Sequence, residues 1–258
     1  MFDKKKIILN SVRSYKKQNK KVNLFFSNLS EDALQRLEIN KNNNCSILEI
    51  LAKNSIFSEK LEEKKYKSEV SQTFFSNEFK FNKKKFIVYD NALSTIENEK
   101  FDYCISFFPA FNKEELTSVL QSTYRVLKYS GKFLFLFFAS DSCLKLKNIF
   151  YDIFKSASHN MFVPSPDILL LGNITSTIGY KNVVVDKSNF IITNSEPKDL
   201  WFFIRDLGVS NYLYNRNRKT ISKYNYNKLC ETIKLLLTEN GKITNQISIN
   251  YLIGTKKS

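Results

Sequence analysis

The chain has 258 residues, of which 43% are hydrophobic and 25% are charged, so it can bury a core and is not intrinsically disordered. Its longest apolar run, 133–139, is too short to span a bilayer, and no apolar segment follows the basic N-terminal residues as in a signal peptide. These features argue against a membrane span and predict a cytoplasmic protein.

The formal net charge of +15 allows either a nucleic-acid partner or an acidic protein partner. Only six of the 40 basic residues are Arg, and the sequence contains neither an aromatic RNA-binding strand nor a recognition helix. We therefore favour a solvated, lysine-rich surface, which could meet an acidic protein, over a nucleic-acid groove.

The four cysteines lie far apart without a CxxC spacing, and the chain contains a single histidine, His159. Neither a zinc site nor a disulfide framework is indicated, and we expect no metal site. His159 is the one candidate for a histidine general base, although a lone histidine in a loop is more often an ordinary surface or packing residue.

The N-terminal part of the chain has the apolar spacing of helices, and we predict a helical cap over residues 1–40. Residues 46–51 form a strand candidate, although their periodicity also allows one helix over 47–65. A weak strand is predicted at 66–70, and a clear short strand at 86–89.

Residues 101–138 have the pattern of one complete strand, helix and strand unit. The apolar run 103–107 suits a buried strand, and Asn112 with Glu115 forms a capping box for the helix that follows. Gly131 is predicted to end that helix before an apolar strand at 132–138. A crossover helix of this length joins parallel strands, so the unit predicts a parallel sheet covered on both faces.

Helices and strands continue through the rest of the chain. Helices are predicted at 144–154, 168–177, 198–207 and 223–239, and strands at 182–185, 190–193 and 247–253. The whole pattern indicates an α/β fold with a doubly wound, mostly parallel sheet, helices on both faces and a final antiparallel pair. We divide the chain into the cap and one domain over 41–258, within which 141–180 is expected to form a helical insertion over the site.

Ligands of doubly wound sheets bind at the carboxyl ends of the strands. Glu69 and Asp90 each close a strand candidate and could accept hydrogen bonds from a ribose or an adenine amino group; alternatively, each is a solvated loop acid or a helix cap. Ser106 and Phe107 end the next strand and are candidates for lining the same crevice. The turn after Glu49 contains none of the glycines that let a backbone approach a nucleotide, because all six glycines lie at or after residue 131.

Four segments of the sequence are similar to a known family. The start FDKKKIILNSVRS, the centre FDYCIS with YRVLKYSGKFLF, the segment LGVSN and the end NGKITNQISINYLIGTKK resemble class I S-adenosylmethionine-dependent methyltransferases. More narrowly, they resemble the branch of the malonyl-acyl-carrier-protein O-methyltransferases and of the methyltransferase-like assembly factor of respiratory complex I, an arginine hydroxylase. This resemblance implies a Rossmann-like methyltransferase fold over 41–258, S-adenosylmethionine as cofactor, and an acyl-carrier or respiratory-complex protein as partner.

The resemblance also implies where the cofactor binds. Glu49 matches the acid of the first motif, Glu69 the ribose-binding acid, and Asp90, followed by Asn91, the acid near the adenine. The complete set of expected cofactor-binding residues is Glu49, Leu51, Glu69, Asp90, Asn91, Ser106 and Phe107.

This chain departs from the family's pattern in the cofactor loop. Leu51, Lys53 and Ser55 occupy its three glycine positions, and Phe111 and Asn112 stand where the branch has His-Trp. Side chains at 51 and 53 are expected to crowd the methionine part of the cofactor, and each lost glycine removes easy access to a positive φ.

Three functional hypotheses follow. The first is a methyltransferase acting on a protein or acyl-carrier substrate, in which the protein aligns a reactive methyl donor with its acceptor; no general base is assigned. The second is a catalytically degenerate family member that serves as an assembly or binding factor, because the glycines are missing. The third, nucleic-acid modification, is based on the charge alone.

Overall fold

The computed structural model describes residues 2–16, 19–74, 85–90, 92–155, 162–218 and 220–257. Its helices are α1 Lys4–Lys16, α2 Lys20–Leu37, α3 Ile56–Glu63, α4 Lys113–Val126, α5 Leu144–Phe154, α6 Ile168–Ile178, α7 Pro197–Asp206 and α8 Lys223–Leu237. Its strands are β1 Cys45–Glu49, β2 Ser68–Phe74, β3 Lys85–Val88, β4 Phe101–Phe107, β5 Leu127–Phe138, β6 Lys181–Asn194, β7 Thr238–Glu239 and β8 Lys242–Thr255.

The strands form one mixed sheet in the order β3-β2-β1-β4-β5-β8-β6, and β7 pairs with β8. The strands from β3 to β5 run parallel to one another, whereas β8 runs antiparallel to both of its long neighbours, β5 and β6. The predicted doubly wound, mostly parallel sheet with an antiparallel end is therefore confirmed. The alternative of one helix over 47–65 is wrong, because 45–49 pairs with two strands.

The central unit of β4, α4 and β5 has the predicted order, and its helix starts with the predicted capping box. Asn112 Oδ1 accepts a hydrogen bond from the Glu115 N–H at 2.9 Å, and the Glu115 carboxylate accepts one from the Asn112 N–H at 3.1 Å. The helix ends at Val126, before the predicted Gly131, which lies inside β5. A Cβ at Gly131 would come within 2.8 Å of the Lys128 carbonyl oxygen, so close backbone contact explains this glycine.

Two strand predictions near the C-terminus are too short. The strands predicted at 182–185 and 190–193 are one strand, β6, because the polar residues between them stay paired with β8. Polar side chains at 186–189 resemble a turn in the sequence, yet an edge strand tolerates them because one side of it faces solvent.

Helices cover both faces of the sheet and make separate apolar clusters with it. On one face, side chains of α2, α3 and α7 pack against β4, β5 and β8. On the other face, α4 and α6 pack against the same strands. None of the helices in the described ranges is both long and apolar enough to cross a membrane. The division into a cap over 1–40 and an insertion over 141–180 stays a prediction.

Candidate functional site

The turn that follows β1 lies at the carboxyl edge of the sheet, between the ends of β2 and β4. The Ile50 N–H donates to the Ile105 carbonyl of β4 at 2.7 Å. On the other side, the Leu51 N–H donates to Thr73 Oγ1 at 2.9 Å and the Ala52 N–H donates to the Thr73 carbonyl at 3.1 Å. Residues 50–55, named here the β1 loop, are thus fixed by hydrogen bonds to both neighbouring strands.

Leu51 has the backbone conformation that glycine adopts easily. Its φ is 54°, and its side chain is buried. A non-glycine residue in this region is strained, and such strain persists only where the surroundings hold it. The two bonds to Thr73 supply that constraint. The sequence prediction that losing this glycine would remove a positive φ is therefore wrong at residue 51.

Glu49 is buried at the end of β1 and is hydrogen-bonded within the protein. Gln72 of β2 lies opposite in the sheet register, and its Nε2 donates to Glu49 Oε2 at 2.6 Å and to the Asn54 carbonyl at 3.3 Å. Gln72 Oε1 is buried and receives no hydrogen bond from the described residues. A buried amide oxygen of this kind is available to a donor group of a ligand. Gln72 could not be recognised from the sequence, because a polar residue after a weak strand resembles a loop.

Lys53, in the second glycine position of the resemblance, is 4% exposed. Within the described parts of the chain, its ammonium has no carboxylate or other acceptor as a partner. Burial alone lowers the pKa of Lys53 from 10.5 to about 8. A buried cation without a counter-ion is energetically costly, and such groups are concentrated at functional sites.

The predicted position of Glu69 is wrong. The weak strand expected at 66–70 runs from Ser68 to Phe74, so Glu69 lies near its amino end, opposite Ser46. The strand extends further because its polar second half is paired in the sheet with β1 and β3. Glu69 instead lines a cavity of about 480 Å³ at the opposite edge of the sheet, beside Asp102 and Lys128.

Asp90 follows β3, as predicted, and its carboxylate stabilises the next turn. It accepts hydrogen bonds from the Ser94 N–H at 3.0 Å and from Ser94 Oγ at 2.6 Å. Partial burial tends to raise the pKa of Asp90, but the bonds from Ser94 outweigh it and lower the pKa below the ordinary value. Because the described residues 92–100 form turns and no helix, this geometry agrees with the alternative of a loop acid. Asn91 and His159 lie outside the described residues.

Ser106 and Phe107 hold the framework together. Ser106 Oγ is buried and donates to the Ile50 carbonyl at 2.7 Å, so it ties β4 to the β1 loop. The Phe107 ring packs against Phe26 of α2 and Phe57 of α3, with centroids 6.1 and 5.7 Å apart. The expectation that Phe107 lines a ligand crevice is wrong, since side chains of a strand alternate between its faces and this one points into the core.

The next residue, Phe108, begins an apolar surface that the sequence analysis did not identify. Its φ is 52°, and its ring stacks on Phe138 with the centroids 4.3 Å apart. Because β1 and β4 are neighbours in the sheet, Phe108 and the strained Leu51 leave the sheet at adjacent strand ends. Two strained residues at adjacent strand ends mark this edge as a candidate site.

Phe108 lines the first of three adjoining sections of a groove, which have volumes of about 60, 110 and 470 Å³. Val163 and Val209 line all three sections. The first two are mainly apolar, and the segment 163–166 forms part of their walls.

The outer section of the groove is cationic. It is lined by Lys6, Arg205 and Arg216. Arg216 is paired with Asp3 at 2.8 Å and Arg205 with Asp206 at 3.0 Å, whereas Lys6 Nζ has no acceptor among the described residues. Burial, helped by the charges of Arg13 and Arg216, lowers the pKa of Lys6. The mouth of the groove therefore has an excess of positive charge that favours an anionic group.

Comparisons with known proteins agree with this architecture. No protein-family model matches the chain. Malonyl-[acyl-carrier protein] O-methyltransferase 1 of Coxiella burnetii is 21% identical over 224 residues, which cover 86% of this chain and 78% of that protein. A provisionally assigned methyltransferase from Bacillus halodurans superposes with a TM-score of 0.56 at 12% identity, covering 89% of this chain and 99% of its own.

A third relative was solved with bound ligands. Phosphoethanolamine N-methyltransferase 2 of Haemonchus contortus, in complex with phosphomonomethylethanolamine and S-adenosylhomocysteine, superposes with a TM-score of 0.51 at 14% identity, covering 90% of this chain and 53% of that one. The chain has the class I methyltransferase fold.

The methyltransferase fold implies S-adenosylmethionine, and the residues at the carboxyl edge can be tested for their fit to it. The amino-acid end of that cofactor has a carboxylate and donor groups. Lys53 offers a buried cation and Gln72 Oε1 a buried acceptor without a donor. Glu49 and Asp90 already have partners within the protein. The residues present therefore fit the amino-acid end of the cofactor, through side chains that the resemblance did not indicate.

Proposed function

We propose that the chain is an S-adenosylmethionine-dependent methyltransferase that acts on a group attached to an acyl-carrier protein. The observation that supports this proposal best is the groove, which includes Phe108 after the end of β4, the strand next to β1, and has a cationic section lined by Lys6, Arg205 and Arg216. An acyl chain on a phosphate-bearing arm has matching chemistry, with an apolar inner part and an anionic outer part. The substrate named for the Coxiella burnetii relative, malonyl-[acyl-carrier protein], agrees with this class.

In this proposal the bound cofactor supplies a methyl group that is already activated, so the protein contributes mainly alignment. Lys53 and Gln72 would hold the amino-acid end of the cofactor. The aromatic pair Phe108 and Phe138 forms the wall at the inner end of the groove, where it would orient the acceptor and exclude water. A carboxylate acceptor is already nucleophilic when ionised, so the reaction needs no general base from the described residues.

The mouth of the groove would bind the carrier. Lys6 lacks an acceptor among the described residues, and a phosphate could supply one. An acidic carrier surface would be attracted by the same charges and by the net charge of +15. We place this reaction in the cytoplasm, as the sequence analysis predicts. A respiratory-complex subunit as the partner stays a prediction.

A transfer assay tests the proposal. The purified protein would be incubated with S-adenosylmethionine labelled in its methyl group and with malonyl-acyl-carrier protein, malonyl-coenzyme A or unloaded carrier. We expect label to enter malonyl-acyl-carrier protein faster than malonyl-coenzyme A, and not to enter the unloaded carrier. Equal, background labelling of all three at saturating cofactor would contradict the proposal.

A second candidate function, a non-catalytic assembly or binding factor, is favoured by one observation. The N–H groups of Ile50, Leu51 and Ala52 all donate to neighbouring strands, so they are not available to a ligand. If this candidate is correct, calorimetry with S-adenosylhomocysteine will show no heat for the native protein. The variant in which Leu51, Lys53 and Ser55 are all changed to Gly would then gain affinity. Binding by the native protein excludes this candidate.

A further inference from the structure

Two polar groups at the carboxyl edge of the sheet have no partner among the described residues. One is the ammonium of Lys53, a residue of the β1 loop that is 4% exposed, and the other is Gln72 Oε1, a buried atom of a residue that is 1% exposed. The Gln72 amide nitrogen contacts the carbonyl of Asn54, the residue after Lys53, at 3.3 Å. A buried donor and a buried acceptor therefore occupy the same edge of the sheet.

Both groups are costly to leave unsatisfied. An ammonium removed from water requires an anionic partner, and a buried amide oxygen requires a donor. The nearest acid along the chain, Glu49, lies at the end of β1, and its carboxylate is hydrogen-bonded to Gln72 at 2.6 Å. Lys53 and Gln72 thus offer a cation and an acceptor at one edge of the sheet to a ligand that has an anionic oxygen and a hydrogen-bond donor.

We infer that Lys53 binds the carboxylate of the amino-acid part of an adenosyl ligand, with Gln72 Oε1 accepting a hydrogen bond from the same part of that ligand. This inference rests on the proposed function, because it names the side chains that hold the cofactor. The sequence alone predicts the opposite, namely that a side chain at position 53 crowds the methionine part of the cofactor. Here the lysine replaces a glycine and supplies a charge-assisted bond.

The residue before Lys53 is packed between α1 and β2. Ala52 packs with Phe74 of β2, and Val12 and Tyr15 of α1 pack against that pair. The loop is therefore covered by α1 and fixed to β2, so a bond made by Lys53 is made in a site protected from water, where it is stronger.

Two thioether ligands can be compared to isolate the contribution of the amino-acid part, which has the carboxylate, to binding. S-adenosylhomocysteine contains the amino-acid part, and 5′-methylthioadenosine has the same adenosyl thioether without it. Isothermal calorimetry would measure both against the native protein, against Lys53→Met and against Lys67→Met, an exposed control. We expect S-adenosylhomocysteine to bind the native protein at least about tenfold more tightly than 5′-methylthioadenosine.

In the Lys53→Met variant, S-adenosylhomocysteine should lose about tenfold or more in affinity, while 5′-methylthioadenosine should change by less than about twofold. The Lys67→Met control should leave both unchanged. If the native protein binds the two thioethers equally, or if Lys53→Met weakens them equally, the inference is wrong although the proposed function stands. If neither thioether binds the native protein, the proposed function fails, and this inference fails with it. The comparison in the native protein needs no variant to fold.

Discussion

Replacing Lys53 by Met should make the ligand-free protein more stable, and the gain can be calculated from the structure. The pKa of Lys53 falls from 10.5 to about 8 on burial, a difference worth about 3 kcal/mol. Because the folded-state pKa lies below the unfolded one, the unfolded chain binds more protons between these values. The native protein should therefore gain stability as the pH rises through this window. Below about pH 8 the full cost of the buried ammonium is present.

Lys53→Met removes that cost, so we expect it to raise the free energy of unfolding by about 3 kcal/mol near pH 7 and by only about 1 kcal/mol near pH 10. Urea unfolding followed by circular dichroism measures both values, and the difference between variant and native protein cancels the titration of the other lysines. Lys67→Met, on the surface, should change stability by less than about 0.5 kcal/mol at either pH. A gain for Lys53→Met that is absent near pH 7, or that does not shrink near pH 10, would refute the claim that its ammonium is buried without a partner.

Four further substitutions test other parts of the structure. Gly208→Ala should destabilise the protein by about 2 kcal/mol or more in urea unfolding, because residue 208 has a φ of 75° and its Cβ would lie 2.9 Å from a side chain of α1. Gly241→Ala, at a φ of 72° with no atom within 4 Å, should cost only about 1 kcal/mol, and equal losses would contradict the packing argument. Thr73→Val should cost about 1 to 3 kcal/mol in the same assay by leaving the Leu51 N–H without its acceptor; no loss would mean that the bond is dispensable. Lys6→Met should raise the KM for malonyl-acyl-carrier protein severalfold with kcat unchanged, and an unchanged KM at low salt would remove the groove mouth from the proposal.

The central unit could be predicted from the sequence because its signals are local and agree with one another. Asn112 and Glu115 form a capping box whose two hydrogen bonds connect residues three apart. The apolar runs on either side are bounded by polar residues, so strand and helix periodicities do not overlap. Consistency of this kind explains why a doubly wound, mostly parallel sheet could be expected from the sequence.

Glu69 could not be placed from the sequence, because the end of β2 is polar and buried at once. Gln72 and Thr73 resemble a loop in composition, yet they are buried and bond across the sheet to Glu49 and Leu51. The pattern of hydrophobic residues does not reveal a buried polar side chain whose hydrogen-bond partner lies more than twenty residues away in the sequence. The strand predicted from the sequence therefore ends too early. Glu69, which lies near the amino end of β2, is for this reason placed at its carboxyl end by the sequence pattern.

The β1 loop shows why missing glycines are a weaker sign of lost binding than the sequence suggests. Leu51 keeps a φ of 54°, so the loop retains a left-handed residue at that position, held by Thr73. Lys53 is the more informative replacement, because a net stability of about 5 to 15 kcal/mol leaves little room for an unpaired buried charge. Stability alone would favour an apolar side chain there. Among the described residues, the Lys53 ammonium has no acceptor and Gln72 Oε1, at the same edge of the sheet, has no donor. A charge kept at this cost is what we expect of a site that a ligand completes, and this favours the catalytic candidate over the non-catalytic one.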